Sequence, residues 1–297
     1  MAKPRELRRR IKSVQSTRKI TKTMELVATS KLKRAQDRVI AARPYAAALA
    51  EVIGNLYSPE FAERFPLLRQ PRNGTAGSQR VALLLITSNR GLCGAFNANL
   101  IREARHRIEE LEGEGVTVQL HIVGKKGITF FKFAKRPVAS QRVDIGDKPS
   151  AAHAAELVEP LMAQFEAGAL DAVEVVFARF KSAVSTPPTT LPILPIAPPR
   201  AGEGGPGRAR AVNYILKPSA EAILAQLLPR YVRNQVYRAL VETAAAFLGA
   251  QRTAMKNATD NAGEIIELLQ RTYNRARQAQ ITQEIAEIVG GAEALKG

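Results

Sequence analysis

The chain has 297 residues, 45% of them hydrophobic and 24% charged, with 44 Lys and Arg against 27 Asp and Glu and a formal net charge of +17. That length and apolar content are enough for one sizeable core or two smaller ones, which excludes a disordered chain. The single cysteine, Cys93, excludes an intrachain disulfide and fits a reducing, intracellular setting. No run approaches the roughly 18–20 uninterrupted apolar residues of a membrane-spanning helix, and the start "MAKPRELRRR" lacks the apolar segment of a secretory signal. A soluble chain is expected. An Arg-rich amphipathic start can also be a transit peptide, but the helical pattern here continues far beyond such a peptide's length.

In chain order, the first element is a helix. From Pro4, well placed in a first turn, a helical pattern runs to about Leu56, broken only at "ARPYA", where Pro44 is expected to kink it. Residues 1–43 carry fourteen Lys and Arg against Glu6, Glu25 and Asp37, a net of +11. Most of the excess charge therefore sits on one helix. Such a face suits nucleic acid, anionic lipid or an acidic protein, or is simply solvated. The segment "FPLLRQPRNGTAGS" (65–78) then ends all periodicity and reads as a linker.

From Arg80 to about Ile196, apolar runs alternate with amphipathic helical patterns: "VALLLIT", "NANLIREARHRIEELEGEG", "VTVQLHIV", "PSAAHAAELVEPLMAQFEAG" and "AVEVVFARF". Strands that are apolar throughout, separated by helices ending in glycine, predict a mostly parallel sheet covered on both faces. The last strand, "TTLPILPI", holds Pro192 and Pro195 and is restricted to a sheet edge. The stretch "APPRAGEGGPGRAR" (197–210) has the composition of a flexible loop.

Beyond "YILKPSAEAILAQLLP", the sequence from Arg230 almost to the end is one helical pattern. Leu240, Ala244, Phe247, Gln251, Met255, Ala258, Ala262, Ile265 and Leu269 follow at gaps of three or four, the seam of a coiled coil. Val14, Thr21, Met24, Ala28, Leu32, Ala35 and Val39 offer a matching stripe near the N-terminus. A helix of roughly 60 residues is about 90 Å long, so most of it is expected to project from a small α/β domain. Alanine-rich seams bury little area, so two such helices need further partners. The alternative is a helix break at "NATDNAGEII", since Asn, Asp and Gly favour caps and turns.

Signals of catalysis are weak. "TSNRGLCGAFN" lies between a strand and a helix, where a phosphate-binding loop would sit, but it lacks a Gly-Lys-Ser/Thr ending and a GxGxxG pattern, so a tight turn is expected. Cys93 has no evident base, because His106, His121 and His153 lie in helix or strand patterns. It reads as a small buried residue. No Cys, His and carboxylate cluster has metal-ligand spacing.

Four stretches, "IKSVQSTRKITKTMELVATSKLKRAQ", "TSNRGLCGAFN", "LLPRYVRNQVYRALVE" and "AMKNATDNAGEIIELLQRTYNRARQAQITQEIAEIVGGAEAL", together resemble the gamma subunit of the F-type, proton-driven ATP synthase. The resemblance implies a central rotor stalk that makes and breaks no bond itself and needs neither cofactor nor metal. It implies an antiparallel coiled-coil shaft (1–57 and 211–297) and a central α/β domain with a Rossmann-like sheet (79–197), joined by linkers at 58–78 and 198–210. Expected partners are the alpha and beta subunits of the catalytic head, the epsilon subunit and the membrane c-ring, on the cytoplasmic face of a bacterial plasma membrane.

By motif position, the resemblance assigns Lys19, Lys22, Lys31, Lys33 and Arg34 to acidic loops of the beta subunits and Met24 to the same neighbourhood. Arg277 and Gln278 match a pair that meets a catch loop of the catalytic subunit. Ile281, Ile285, Ile288, Val289 and Leu295 provide apolar contact with the surrounding sleeve. One departure stands out: where the family has "RMxAM", this chain has "QRTAM". Gln251 takes the arginine's place and Arg252 lies about 100° around the helix. Two rival readings remain, a nucleic-acid-binding protein suggested by the basic helix and a small α/β enzyme built on the 88–97 turn. The low aromatic content (5%) and the coiled-coil seam beneath the cations count against the first.

Overall fold

The structure, a computed structural model, describes residues 4–57, 59–69, 79–196 and 219–294. The loop 197–210, residues 58 and 70–78 of the first linker, and Leu295 lie outside the described residues. The elements are α1 (Pro4–Leu56), α2 (Pro59–Arg64), a 3-10 turn (Pro66–Leu68), β1 (Arg80–Ile86), α3 (Phe96–Gly113), β2 (Thr117–Val123), α4 (Lys125–Phe133), β3 (Ser140–Arg142), α5 (Ala151–Glu166), β4 (Ala172–Ala178), β5 (Pro188–Leu194) and α6 (Ala220–Ala294). They pack as two units. One pairs the described residues up to Ala28 with those from Gln251 onward, and the other runs from Thr29 to Ala250.

The larger unit is built on a five-stranded sheet of order β3-β2-β1-β4-β5. The first four strands are mutually parallel, and β5 runs antiparallel at the edge. Its Pro192 lies opposite Glu174 in that edge ladder, where a missing amide is tolerated. Along β1, Ala82, Leu84 and Ile86 enter one apolar cluster while Leu83 and Leu85 enter the other, as the two-residue period of a strand dictates. The first cluster is closed by α5, the end of α1 and the start of α6. The second is closed by α3, α4 and further stretches of the same two long helices. Because α1 and α6 each supply both clusters, they cross the end of the sheet rather than lying on one face.

The short elements were not legible beforehand: α2 and the 3-10 turn, which buries Leu67 and Leu68, lie in the stretch read as a linker. Nine-residue α4 opens with two lysines and a glycine, and β3 is three polar residues, so neither has enough periodicity to register. Neither long helix ends at its proline. Helix α1 runs through Pro44 and α6 starts ten residues before Arg230 and runs through Pro229. The carbonyls that these rings leave without an amide belong to Ile40 and Ala225, both exposed residues, where a missing helical bond costs less than in a buried core. The stretch "NATDNAGEII" is continuous helix.

A buried histidine meets an exposed serine near one edge of the sheet. His121 on β2 is buried, with Nδ1 2.7 Å from Ser140 Oγ on β3 and Nε2 without a partner among the described residues. Burial holds the imidazole pKa below its ordinary 6.5, so the native state stays neutral while the unfolded chain takes up a proton as pH falls through that value. Its contribution to stability is present above 6.5 and lost below, by on the order of 1 kcal/mol near pH 5.5. Urea midpoints at about pH 7.5 and 5.5 check this: the fall on acidification should shrink in His121→Gln, and an equal fall in both proteins would assign the loss to other groups.

Candidate partner-binding surface of the helical pair

In the smaller unit, burial along α6 falls on Met255, Thr259, Ala262 and Ile266, with Leu269, Tyr273 and Ala276 half-buried. The gaps are four, three, four, three, four and three, the 3.5-residue period of a coiled coil. This corrects the expected stripe at two positions: Thr259 replaces Ala258 as the buried residue, and Ile266 (7% exposed) replaces Ile265 (47% exposed). The reason is a hydroxyl. Thr259 Oγ1 lies 2.8 Å from Thr21 Oγ1 on α1 and 2.8 Å from the Met255 carbonyl, and Thr21 Oγ1 is 3.1 Å from the Arg18 carbonyl. With those partners a threonine can occupy the seam, and the phase shifts by one residue.

On α1 the same seam buries Leu7, Thr21 and Ala28, with Ile11, Val14 and Met24 half-buried. Gly263 on α6 faces the Arg18 guanidinium, about a van der Waals contact from where a Cβ would be. Moving back three residues on α1, from Thr21 to Arg18, moves forward four on α6, from Thr259 to Gly263. The helices are therefore antiparallel. Small residues at the contact, Ala28, Ala262 and the threonines, allow close approach, and most of both helices stays exposed.

Of the expected contact residues, Lys19, Lys22, Met24, Arg277 and Gln278 belong to the smaller unit and Lys31, Lys33 and Arg34 to the larger. Lys19, Lys22, Lys31, Lys33, Arg34, Arg277 and Gln278 are exposed, and Met24 is half-buried in the seam. Three of the cations already have partners within the chain: Lys22 with Glu25 at 3.2 Å, Lys33 with Asp37 at 3.1 Å, and Lys31 with Asp147 at 3.6 Å. Asp147, which follows β3, was not anticipated. It also pairs with Arg90, and its backbone carbonyl accepts from Arg38 Nη1 at 3.2 Å, so within the larger unit it ties α1 to the sheet domain. Lys19, Arg34 and Arg277 form no ion pair among the described residues. Gln251 and Arg252 are both half-buried.

The end of α6 is different in character. From Arg277 to Ala292 every residue is exposed, including Ile281, Ile285, Ile288 and Val289. Gaps of four, three and one place these four on one helical face. They form an exposed apolar stripe.

The 88–97 segment is a tight turn whose polar groups are engaged internally. The amides of Ser88, Lys125 and Gly127 donate to Asn97 Oδ1, Asn89 Oδ1 and Thr87 Oγ1 at 2.9–3.0 Å. Cys93 is buried, Asn97 Nδ2 approaches its sulfur at 3.3 Å, and burial pushes its thiol pKa up, so it stays protonated and unreactive. His153 serves the capping box that opens α5.

A family model described as "ATP synthase" matches residues 3–295. The chain is 64% identical to the ATP synthase gamma chain of Gemmatimonas aurantiaca over 298 residues, covering all of both chains. It is 44% identical to that of Leptospira biflexa over 295 residues, 99% of this chain and 100% of the relative. In fold it is similar to a chain of the Euglena gracilis mitochondrial ATP synthase rotor, with TM-score 0.65 and 21% identity over 94% of this chain and 98% of that one. A chain of the Tetrahymena thermophila mitochondrial ATP synthase central stalk and c-ring gives TM-score 0.59 at 24% identity, over 80% of this chain and 99% of that one.

The shifted seam makes a direct prediction. Ile266→Ala should lower the stability of the helical pair by about 2–3 kcal/mol, and Ile265→Ala by less than about 1 kcal/mol. Denaturant melts followed by helical circular dichroism measure both, and the reverse ranking would restore the original phase.

Proposed function

Because this chain belongs to the ATP synthase gamma-chain family, we propose that it is the central rotor stalk of a proton-driven ATP synthase, carrying torque between the membrane ring and the catalytic head without catalysing any step itself. The observation that carries this reading is the contrast along α6. Its middle is buried against α1 in a 3.5-residue seam, and its last turns expose a stripe of isoleucine and valine. A rotating shaft needs both. The seam makes two helices one stiff body, and non-directional apolar contact lets the end turn inside a sleeve where strong hydrogen bonds would hold it.

In this proposal the alpha and beta subunits surround the shaft. Ile281 and Ile285 meet the sleeve, while Arg277 and Gln278 meet the catalytic subunit's catch loop. Lys19 and Arg34 carry most of the attraction to acidic loops on the beta subunits, with Met24 beside them. Lys22, Lys31 and Lys33 contribute less, because each already shares its charge with a carboxylate of this chain. Exposed pairs of this kind are worth on the order of 0–1 kcal/mol each, which suits contacts broken and remade at every turn.

By role, residues 1–57 and 211–297 form the shaft and 79–197 the domain that meets the epsilon subunit and the c-ring, with 58–78 and 198–210 as linkers. By packing, the boundary falls within the two long helices. The complex is placed on the cytoplasmic face of a bacterial plasma membrane, with this chain peripheral. Among the described residues no helix is long and apolar enough to cross a membrane.

An insertion tests the reading. One alanine after Asn257 rotates everything beyond it by about 100° and advances it about 1.5 Å, so Thr259 leaves Thr21 and Arg277 leaves its target while helix propensity is kept. Reconstituted complexes should hydrolyse ATP with little proton pumping. An alanine after Gly204, in a stretch of Gly and Pro, should leave the ratio of pumping to hydrolysis at the parent's value. Equal ratios in both insertions would overturn the rotor assignment.

A further inference from the structure

Strand β4 outlasts its neighbour β1. The last residue pair in register between them is Leu85 and Val176, yet β4 continues to Ala178 and its chain to Phe180. On the other side, Arg179 N donates to the Pro187 carbonyl at 3.0 Å. Backbone amides alternate in direction along a strand, so those of Ala178 and Phe180 point toward the side that β1 has left. Both residues are buried, and an unpaired buried amide is costly.

Two adjacent side chains of α6 supply the missing acceptors. Thr243 Oγ1 accepts from Ala178 N at 3.3 Å, and Glu242 Oε2 accepts from Phe180 N at 3.1 Å. Both side chains are themselves buried, Glu242 at 1% exposure. Each is braced from its own helix: the Thr243 hydroxyl donates to the Ala239 carbonyl at 2.7 Å, and Arg238 Nε donates to Glu242 Oε1 at 2.8 Å. Two turns beyond Glu242 and on the same face, Gly249 leaves no room for a side chain, since a Cβ there would come within 3.0 Å of the Ala183 carbonyl. The chain leaving β4 is thus fastened to α6 at two levels and pressed against it at a third.

We propose that Glu242 and Thr243 are the torque-transmitting latch between α6 and the α/β domain: they fix the rotational position of the helix against the sheet, so that turning α6 turns the domain. The proposal rests on the rotor reading and adds to it the residues through which torque leaves the helix. Apolar burial is non-directional and specifies a helix's rotation less sharply than a hydrogen bond does. Side-chain acceptors aimed at two strand amides fix it, since a rotation of even half a residue's 100° removes both at once.

The test uses the whole ATP synthase in vesicles, with parent, Thr243→Val, Thr243→Ser, Glu242→Gln and a Glu242→Ala/Thr243→Val double variant. Hydrogen exchange on the purified chains first reads the latch. Exchange of the Ala178 amide should quicken about tenfold in Thr243→Val and return toward the parent's rate in Thr243→Ser. The functional readout is proton pumping per ATP hydrolysed, without and against a preformed proton gradient. Stability loss alone lowers the amount of complex but not this ratio per assembled complex. The double variant should pump at the parent's ratio without load and fall at least about threefold under load, while Thr243→Ser and Glu242→Gln, which keep acceptors in place, stay near the parent. If the double variant fails to assemble, Thr243→Val, which conserves volume, takes its place with a smaller loss in the same direction. A load response equal to the parent's in either variant would overturn the latch. It would leave the rotor reading standing so long as the insertion after Asn257 uncouples the enzyme.

Discussion

Buried backbone amides must find acceptors, and at the end of β4 that requirement is met by side chains of another element rather than by the sheet. Once β1 has ended, the last amides of β4 can only be satisfied from α6. The helix is therefore not free to choose its rotation about its own axis within the larger unit: Glu242 and Thr243 must face the strand end, which places Val241, Ala245, Phe247 and Leu248 in the cluster beneath α3 and α4. On the α1 side Asp147 plays a comparable part through Lys31, Arg90 and Arg38. Carboxylates from the helix and from the loop after β3 thus fasten two long helices to one sheet. A hydrogen bond or ion pair specifies direction in a way that apolar packing does not.

The helical pair of the smaller unit uses a different economy. Alanine and threonine seams bury little area per residue, so the pair gains closeness and rigidity rather than large hydrophobic stabilisation. The Thr21–Thr259 contact adds a directional element, the one buried polar layer among the described residues of this pair. Such layers specify register in coiled coils even where they add little stability. Outside the seam the surface sorts by chemistry along the sequence: cations on α1, partly neutralised by neighbouring carboxylates, and bare isoleucine and valine at the end of α6. Each suits a partner contact of limited strength. Strong, desolvated ion pairs would be slow to exchange, whereas exposed charges and non-directional apolar contact can be made and broken repeatedly.

Much of this was legible from the residues. Apolar runs between amphipathic helices determined a mostly parallel, doubly covered sheet, because strands buried on both faces cannot alternate. Pro192 and Pro195 determined the edge, because a proline cannot donate to a central ladder. The two long helices and their seams were evident from spacing, and the resemblance carried by four motifs named the family that the comparisons then matched over residues 3–295.

Tertiary structure alone decided the rest. Whether Ile265 or Ile266 faces the partner depends on which residue near Ala258 can be buried, and that turned on a hydroxyl across the pair. A sequence shows Thr259 as polar but not the Thr21 oxygen 2.8 Å away. Pro44 was expected to kink α1 and the last helix was expected from about Arg230, yet both helices are continuous through their prolines, with Ile40 and Ala225 exposed. Glu242 and Thr243 looked like ordinary helix residues, because the amides they serve lie more than sixty positions earlier in the chain. Periodicity determines which face of an element is buried; which polar groups meet across elements is settled only when strand lengths, helix rotation and register are fixed together.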